Sequence, residues 1–409
     1  MEIFDEASRC LKCKVPQCAK ACPVDTPIPK VIQMFLKGEI QEAGSLLFKN
    51  NPLSAVTSIV CPHENNCTGH CVLGIKSNPV EFYKIEQYIS GLYLDTAQLT
   101  PPASNGIMVG VIGAGPAGIV ASIYLAMKGF DVTLIEANDR IGGVLRYGIP
   151  EFRLPKELVG KYSILLHKLG VKFKPNTFIG STVTVDDMFI DGYKAIFISV
   201  GTAKPLKLGL LGETLGNVYY AIDYLRSPDS YHLGKKIYVI GAGNVAMDAA
   251  RMAIRKAPLA EVTIINNRDE DGMSGNDHDI NMARMDGVHF KHLLSTVRLK
   301  KDAIVCVNVE VHQDKNGKKT YEEKMNESFE LPADSIIMAI GQGPQGSVLS
   351  GTDVTRTSHG LVEADENGYT ATPGIFAAGD IVTGPRTVVE AVAFAKKVAD
   401  EIEEYCLKK

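Results

Sequence analysis

Seven of the nine cysteines fall between Cys10 and Cys71, spaced Cys10-x2-Cys13-x4-Cys18-x3-Cys22-Pro23 and then Cys61-x5-Cys67-x3-Cys71. Thiols this crowded either pair as disulfides or grip metal, and the redox compartment decides which. The first twenty residues hold Asp5, Glu6, Cys10 and Cys13 and no apolar run, so no export signal is expected and the metal reading wins. A CxxC pair, a third Cys and a Cys before Pro is the spacing of four-iron clusters, in which the last Cys serves a second cluster. Two [4Fe-4S] clusters require eight ligands, and seven cysteines are present, so one cluster takes a different ligand or lacks one.

The stretch from Val80 to Leu94 offers that ligand. Phe82, Ile85, Ile89 and Leu92 recur at helical spacing, and Glu86 lies inside their stripe. An inward carboxylate needs a partner, which iron would supply. The alternative leaves Glu86 at the stripe's edge in water, with Gln87 as the reserve ligand. Zinc is the rival metal, because His63 and His70 stand among the last cysteines. Both histidines are read as structural, and Cys306 and Cys406 as small apolar residues.

Two glycine-rich turns carry the other chemistry. Gly113-Ala114-Gly115-Pro116-Ala117-Gly118 follows the apolar strand Met108 to Ile112 and opens a helix. The first Gly makes a tight turn, the second lets backbone approach a pyrophosphate, and the third lets helix and strand pack. Glu136 ends the next strand, where an acid accepts from ribose hydroxyls. Gly142, Gly143, Arg146 and Gly201 are assigned to the same site. The second turn, Gly241-Ala242-Gly243-Asn244-Val245-Ala246, follows Lys236 to Ile240, with Ala in the permitted third place. Asn266 stands where an acid would meet ribose. Asn267, Arg268 and Gly341 complete this site, with Arg251 on the preceding helix as another cation able to meet a 2′-phosphate.

These motifs must be held by elements, and the pattern supplies them. Helices are expected at 28–38, 40–49 and 80–94 and from Thr387 to Tyr405. Thr100 to Gly106 reads as a linker, Ile304 to Val311 as a strand, and Asn316-Gly317 as a turn. Strand–helix alternation predicts parallel sheets. The 409 residues carry a net charge of −4 and are 45% hydrophobic and 22% charged, which gives no basic excess for nucleic acid or an anionic membrane. No apolar stretch approaches a membrane span, so a soluble, cytoplasmic protein is expected.

Gly374-Ile375-Phe376-Ala377-Ala378-Gly379-Asp380, together with the two turns, resembles the two-dinucleotide flavoproteins typified by glutathione reductase. That resemblance implies FAD in the first site. Asp380 would bond the ribityl chain, and Thr387, Val388 and Val389 would turn a helix N-terminus to the flavin's pyrimidine edge, where partial positive charge favours the reduced ring.

The whole chain resembles the glutamate synthase small-subunit family of flavoproteins. That family includes the FAD/iron–sulfur subunit of bacterial NAD-dependent dihydropyrimidine dehydrogenase and the large subunit of NADH-dependent ferredoxin:NADP oxidoreductase. The matching stretches are Glu6 to Leu11, Val60-Cys61-Pro62, Cys71 to Gly74, Tyr147-Gly148-Ile149-Pro150-Glu151-Phe152-Arg153-Leu154-Pro155 and Ala377 to Val382. The resemblance implies that Cys10, Cys13, Cys18 and Cys71 hold one cluster, and that Cys22, Cys61, Cys67 and Glu86 hold the other. NADPH-using relatives carry Tyr-Arg-Arg at Asn266-Asn267-Arg268, which leans this chain towards NADH. Length and the Cys61–Cys67 gap resemble the dihydropyrimidine member. A partner subunit with an FMN barrel and a ferredoxin domain, in a hetero-oligomer, is therefore expected. Glutamate synthase or ferredoxin:NADP subunits are the alternatives, and a zinc- and flavin-binding scaffold without turnover is the alternative of another class.

The expected fold is α/β, with two Rossmann-like dinucleotide-binding domains and an N-terminal α-helical double-cluster domain. The expected division is 1–105 iron–sulfur, 106–225 and 339–409 FAD, and 226–338 nicotinamide. No catalytic acid, base or nucleophile is expected for the hydride step.

Overall fold

The protein is described by a computed structural model over residues 2–180, 183–314, 317–350 and 352–408. Asn316 of the expected turn lies outside these residues.

The cysteine region is helical. α1 (Ile28–Leu36) carries Pro29 in its first turn, where a missing N–H costs nothing, and buries Ile28, Val31, Ile32 and Phe35. α2 (Ile40–Asn50) buries Ala43, Leu47 and Phe48 on one face. α3 (Ser54–Val60) was not expected from the pattern. Its β-branched residues are poor helix formers, but Ser54 to Ser58 are all buried, so packing holds the helix. α4 (Phe82–Thr96) buries Phe82, Ile85, Glu86, Ile89 and Ser90. Leu92, placed in the stripe by spacing, is 37% exposed. Tyr93 takes over the contact there, packing on Phe48 with ring centroids 5.7 Å apart.

β1 (Met108–Ile112), α5 (Pro116–Met127), β2 (Asp131–Ile135), β3 (Lys172–Lys174) and β4 (Ala195–Ile198) follow. The chain then enters a second compact unit, comprising Tyr147–Pro150 and Lys204–Gln342. That unit contains β5 (Val218–Tyr220), β6 (Lys236–Ile240), α6 (Asn244–Lys256), β7 (Glu261–Ile265), β8 (His289–Lys291), β9 (Leu294–Leu299), β10 (Ala303–Gln313), β11 (Lys319–Glu323), β12 (Phe329–Pro332) and β13 (Ser335–Met338). Its parallel sheet runs β5-β13-β6-β7-β8, and β9 to β12 form an antiparallel sheet around β10. β5 pairs with β13, so the second unit begins upstream of 226, the expected boundary.

The chain returns to the first unit with β14 (Ile375–Ala377) and α7 (Val388–Leu407). The first sheet is parallel throughout, in the order β14-β4-β1-β2-β3. β1, β2 and β4 are buried almost end to end, as strands covered on both faces are.

The linker at 100–106 does not divide compact units, because Met1–Arg146, Glu151–Ala203 and Gly343–Lys409 form one body. The turn between α2 and α3 is bolted to the sheet's helices. Tyr124 Oη donates to the carbonyls of Lys49 and Asn50 at 3.0 and 2.9 Å. Tyr162, fully buried, donates to Pro52 O at 3.0 Å, and Lys396 Nζ donates to Asn50 Oδ1 at 2.9 Å.

Candidate functional site

None of the nine cysteines is in a disulfide, and the seven of the helical region form two sets. Cys10, Cys13, Cys18 and Cys71 lie within electrostatic reach of one another, around a small space walled by Leu11, Ile28, Val72 and Phe82. Lys12 takes a left-handed φ of 53° between the first two thiols. That conformation costs on the order of 1–2 kcal/mol for a residue with a Cβ. Cys22, Cys61 and Cys67 form the inner set with Glu86, around a space also lined by Thr26, Asn51, His63 and Val389. Ile28, Cys67 and Phe82 line both spaces, so the sets are neighbours.

Burial drives the electrostatics of both sets. It pushes Cys18 up to about 11, with Cys71 adding repulsion. It pushes Cys67 up to about 12, reinforced by Glu86 and Cys22, and Cys61 well above its usual value. Glu86, only 9% exposed, is raised to about 8 by burial alone. Among the described residues, no hydrogen bond or ion pair engages its carboxylate. A buried, unpartnered acid beside the thiols of Cys61 and Cys67 is a poor arrangement for a protein alone and a good one around a cationic centre. No three His, Cys, Asp or Glu side chains among the described residues close to the spacing of a single ion. A four-iron cluster spreads its ligands around a cube, wider than a zinc tetrahedron. The thiol-rich lining of both spaces, with Cys10, Cys13, Cys18 and Cys71 in one and Cys22, Cys61 and Cys67 with Glu86 in the other, fits the thiolate ligation of iron–sulfur clusters.

Gln87 points outward and is exposed, which removes the reserve ligand. His63 stacks on Tyr83 at 4.2 Å with Nε2 against Ser58 O, and His70 Nδ1 meets Asn66 O at 2.8 Å. Cys306 and Cys406 are buried in apolar surroundings, as expected.

The first glycine-rich turn joins β1 to α5. A Cβ on Gly118 would lie 1.9 Å from Gly113 O, so only Gly fits. Gly143, at φ +51°, brings its backbone so close that a Cβ would be 2.8 Å from the Cα of Gly115. Gly115 caps α5 with no side chain bonded to the helix's first N–H groups, and Pro116 occupies the first turn. The result is a bare backbone cradle at a helix N-terminus, which fits a pyrophosphate. Glu136 is buried and already engaged. Oε2 accepts from Ala114 N at 2.7 Å, and Oε1 accepts from Asn138 N at 2.8 Å. Oε1 also accepts from Asn138 Nδ2 at 2.6 Å, so Glu136 braces the turn and its Oε2 keeps a further lone pair for a ribose. Arg146 Nε donates to Ile141 O at 2.8 Å, and Gly201 follows β4 with φ +66°.

Asp380 begins the short helix Asp380–Thr383 after Gly379. Burial raises it to about 6, against a hydrogen bond from Arg386 N that lowers it, while Glu390 adds to the rise. At the start of α7, Thr387 and Glu390 form a capping box that consumes their own N–H groups. The first-turn N–H groups of Val388 and Val389 stay open, whereas that of Thr387 does not. Val389 also lines the inner thiol space, so the helix assigned to the flavin edge reaches the inner set.

In the second turn, Gly243 caps α6 with no side-chain bond to the helix. Val245 and Ala246 lie in its first turn, and Asn244 Oδ1 accepts from Asn276 N at 2.7 Å. Asn266 ends β7 buried, its Nδ2 3.1 Å from His292 Nδ1 and its Oδ1 accepting from Arg268 N. Asn267 and Arg268 are exposed, and the Arg268 guanidinium lies 4.5 Å from the Tyr321 ring centre. Gly341 follows β13 at φ +117°. Arg251 is not a free cation for a phosphate, because it is buried and donates to Asp286 at 2.7 Å. Tyr124, Tyr162, Thr26 and Asn138 were not foreseen. Each acts through a partner that no short motif announces.

Residues 108–395 match the pyridine nucleotide-disulphide oxidoreductase family, and residues 1–97 match dihydropyrimidine dehydrogenase domain II, 4Fe-4S cluster. Fold and site define a class: an FAD- and NAD(P)H-dependent oxidoreductase with a 4Fe-4S domain. The glutamate synthase [NADPH] small chain of Escherichia coli K12 is 32% identical over 97% of this chain and 90% of its own length. The NAD-dependent dihydropyrimidine dehydrogenase subunit PreT of Escherichia coli K12 is 29% identical over 98% of this chain and 93% of its own. Mycobacterium tuberculosis FprA in complex with NADPH shares the fold, with a TM-score of 0.62 at 18% identity over 73% of this chain and 84% of its own. The chain belongs to the glutamate synthase small-subunit family of iron–sulfur flavoproteins. It is an enzyme, and the zinc scaffold without turnover is set aside by the 4Fe-4S match. Among the described residues, no helix is long and apolar enough to cross a membrane.

Proposed function

We propose that the chain is the electron-input subunit of a dihydropyrimidine dehydrogenase-like complex, with two [4Fe-4S] clusters and a partner subunit that holds the final acceptor. When bound, FAD takes an electron pair as hydride from NAD(P)H, and the iron–sulfur clusters carry electrons singly. The residues do the rest. Gly113 to Gly118, Gly142, Gly143 and Glu136 shape the dinucleotide cradle. Asp380 and the open N–H groups of Val388 and Val389 orient and polarise the flavin end. Gly241 to Ala246 hold the nicotinamide cofactor, with Asn267 and Arg268 at its ribose. Cys22, Cys61, Cys67 and Glu86 form the inner ligand set, and Cys10, Cys13, Cys18 and Cys71 the outer one.

The observation that carries this reading is the buried, unpartnered Glu86 facing the thiols of Cys61 and Cys67. Anaerobic purification tests it, and about eight irons per chain are expected. A colourless, iron-free protein would end the reading. Stopped-flow reduction with each nucleotide separately tests the second site, and NADH is expected to be faster. Equal, very slow reduction by both would mean that the second turn holds neither.

A second reading, the small subunit of a glutamate synthase, is favoured by the 32% identity to that chain. Co-purification from the native cell separates the two. A barrel subunit supports the first, and a large amidotransferase subunit the second.

A further inference from the structure

The helix Lys156–Lys168 has two faces of different make-up. Val159, Tyr162 and Leu166 are buried on one, and Tyr162 is bonded to Pro52 O. The other sets Glu157, Gly160, Ile164 and Lys168 at spacings of three and four, which places them on one stripe. That stripe is one wall of a cavity of about 650 Å³, and the end of α4 with the stretch to Leu99 is the opposite wall. Lys161 spans the walls to Asp95 at 2.5 Å. The volume is that of a small-molecule site. Phe48, Tyr93 and Leu165 give it an apolar, aromatic lining. Arg140, Arg146, Lys156, Lys161 and Lys168 line it against two carboxylates, Asp95 and Glu157. Among the described residues, Arg146 and Lys168 pair with no carboxylate. In a chain of net charge −4, this is a local reversal of sign. Gly160 is an independent observation. Glycine inside a helix is less stable than alanine, yet a Cβ here would meet nothing within 4 Å. The missing side chain relieves no clash and leaves room on the cavity wall.

We propose that this cavity binds a nucleoside phosphate, with the base on the Tyr93 side and the phosphates among the cations. A single carboxylate would leave most of this charge unmatched. A phosphate chain presents several anionic oxygens, which guanidinium groups grip in pairs. Of the residues assigned to FAD, Arg146 alone lines the cavity, and no thiol and no residue of the second glycine-rich turn does. The site is therefore distinct from both dinucleotide cradles and goes beyond the electron-relay reading.

The test uses the FAD-loaded, anaerobically purified protein. Fluorescence anisotropy with N-methylanthraniloyl-ADP reads affinity, and photolabelling with 8-azido-ADP followed by peptide mapping reads location. Saturable binding below about 1 mM is expected, with label in 93–99 or 156–168. Unlabelled ADP should displace the probe. Adenosine and pyrophosphate, each lacking one half of the ligand, should need at least about tenfold more. Gly160→Trp, which fills the cavity, and the double variant Arg140→Glu with Lys168→Glu should each weaken binding at least about tenfold. Flavin content and flavin bleaching by NAD(P)H should stay at the wild-type level in both. Gly160→Ala should bind as the wild type does and melt at a higher temperature. Unchanged affinity in both the Gly160→Trp and the charge-reversed variants would overturn the site. So would label confined to 204–342, or no saturable binding. Adenosine as good as ADP would overturn the phosphate recognition. Protein whose flavin does not bleach, yet whose binding responds to these variants, would support the site and count against the relay alone.

Discussion

The two thiol sets share a helical scaffold and differ in their surroundings. The outer set is all sulfur, half-buried and roofed by Leu11 and Val72. The inner set exchanges one sulfur for Glu86, lies deeper and touches the first turn of α7 through Val389. Burial and net charge both act on reduction potential, because each electron adds negative charge to the site. A deep set with a carboxylate resists that charge more than a shallow one does. The arrangement suits a relay whose inner member sits beside the flavin helix and whose outer member meets the surface.

Removing Glu86, the proposed odd ligand, is the strongest way to break this contrast. Glu86→Ala should halve the iron, from about eight to about four per chain, and leave the outer cluster's EPR signal intact. Glu86→Cys should keep the iron and shift the inner potential. Full iron and an unchanged spectrum in the alanine variant would remove Glu86 from the ligands.

The flavin end sharpens the contrast through pH. Asp380 is raised to about 6, so folding of the flavin-free protein is favoured while this acid keeps its proton. That advantage is full below about 4, the usual Asp value, and is lost as pH rises through about 6. A carboxylate that accepts from ribityl hydroxyls works the other way. FAD should bind more tightly at pH 7 than at pH 5, and Asp380→Asn should flatten the dependence. Flavin fluorescence during dilution reads both, and tighter binding at pH 5 would reject this role.

The joint that holds the sets against the sheet gives a smaller effect. Tyr162→Phe leaves Pro52 O buried without its donor, costing about 1–3 kcal/mol in thermal unfolding. A change below about 0.5 kcal/mol would show that the bond contributes little. Smallest is the order of loss under a chelator in air, where the half-buried outer set should bleach before the deeper inner one. Simultaneous loss would argue against their different depths.

What could be read from the sequence followed from local spacing. The burial of Glu86 came from its place between Phe82 and Ile89, and both glycine-rich turns from their flanking strands. What could not be read was long-range. Arg251 seemed available because Asp286, its partner, lies on a distant segment. The boundary at 226 missed β5 because its pairing partner, β13, is distant in sequence. α3 has no helical pattern of its own, and Tyr124 and Tyr162 act on backbone carbonyls that carry no sequence signature. Leu92 obeyed the spacing but lost its place to Tyr93.

Spin quantification of the dithionite-reduced, anaerobically purified protein bears most directly on the pair of clusters. Two interacting signals, each near one spin per chain, together with about eight irons, are expected. A single isolated signal with about four irons would mean that one of the two thiol sets holds nothing.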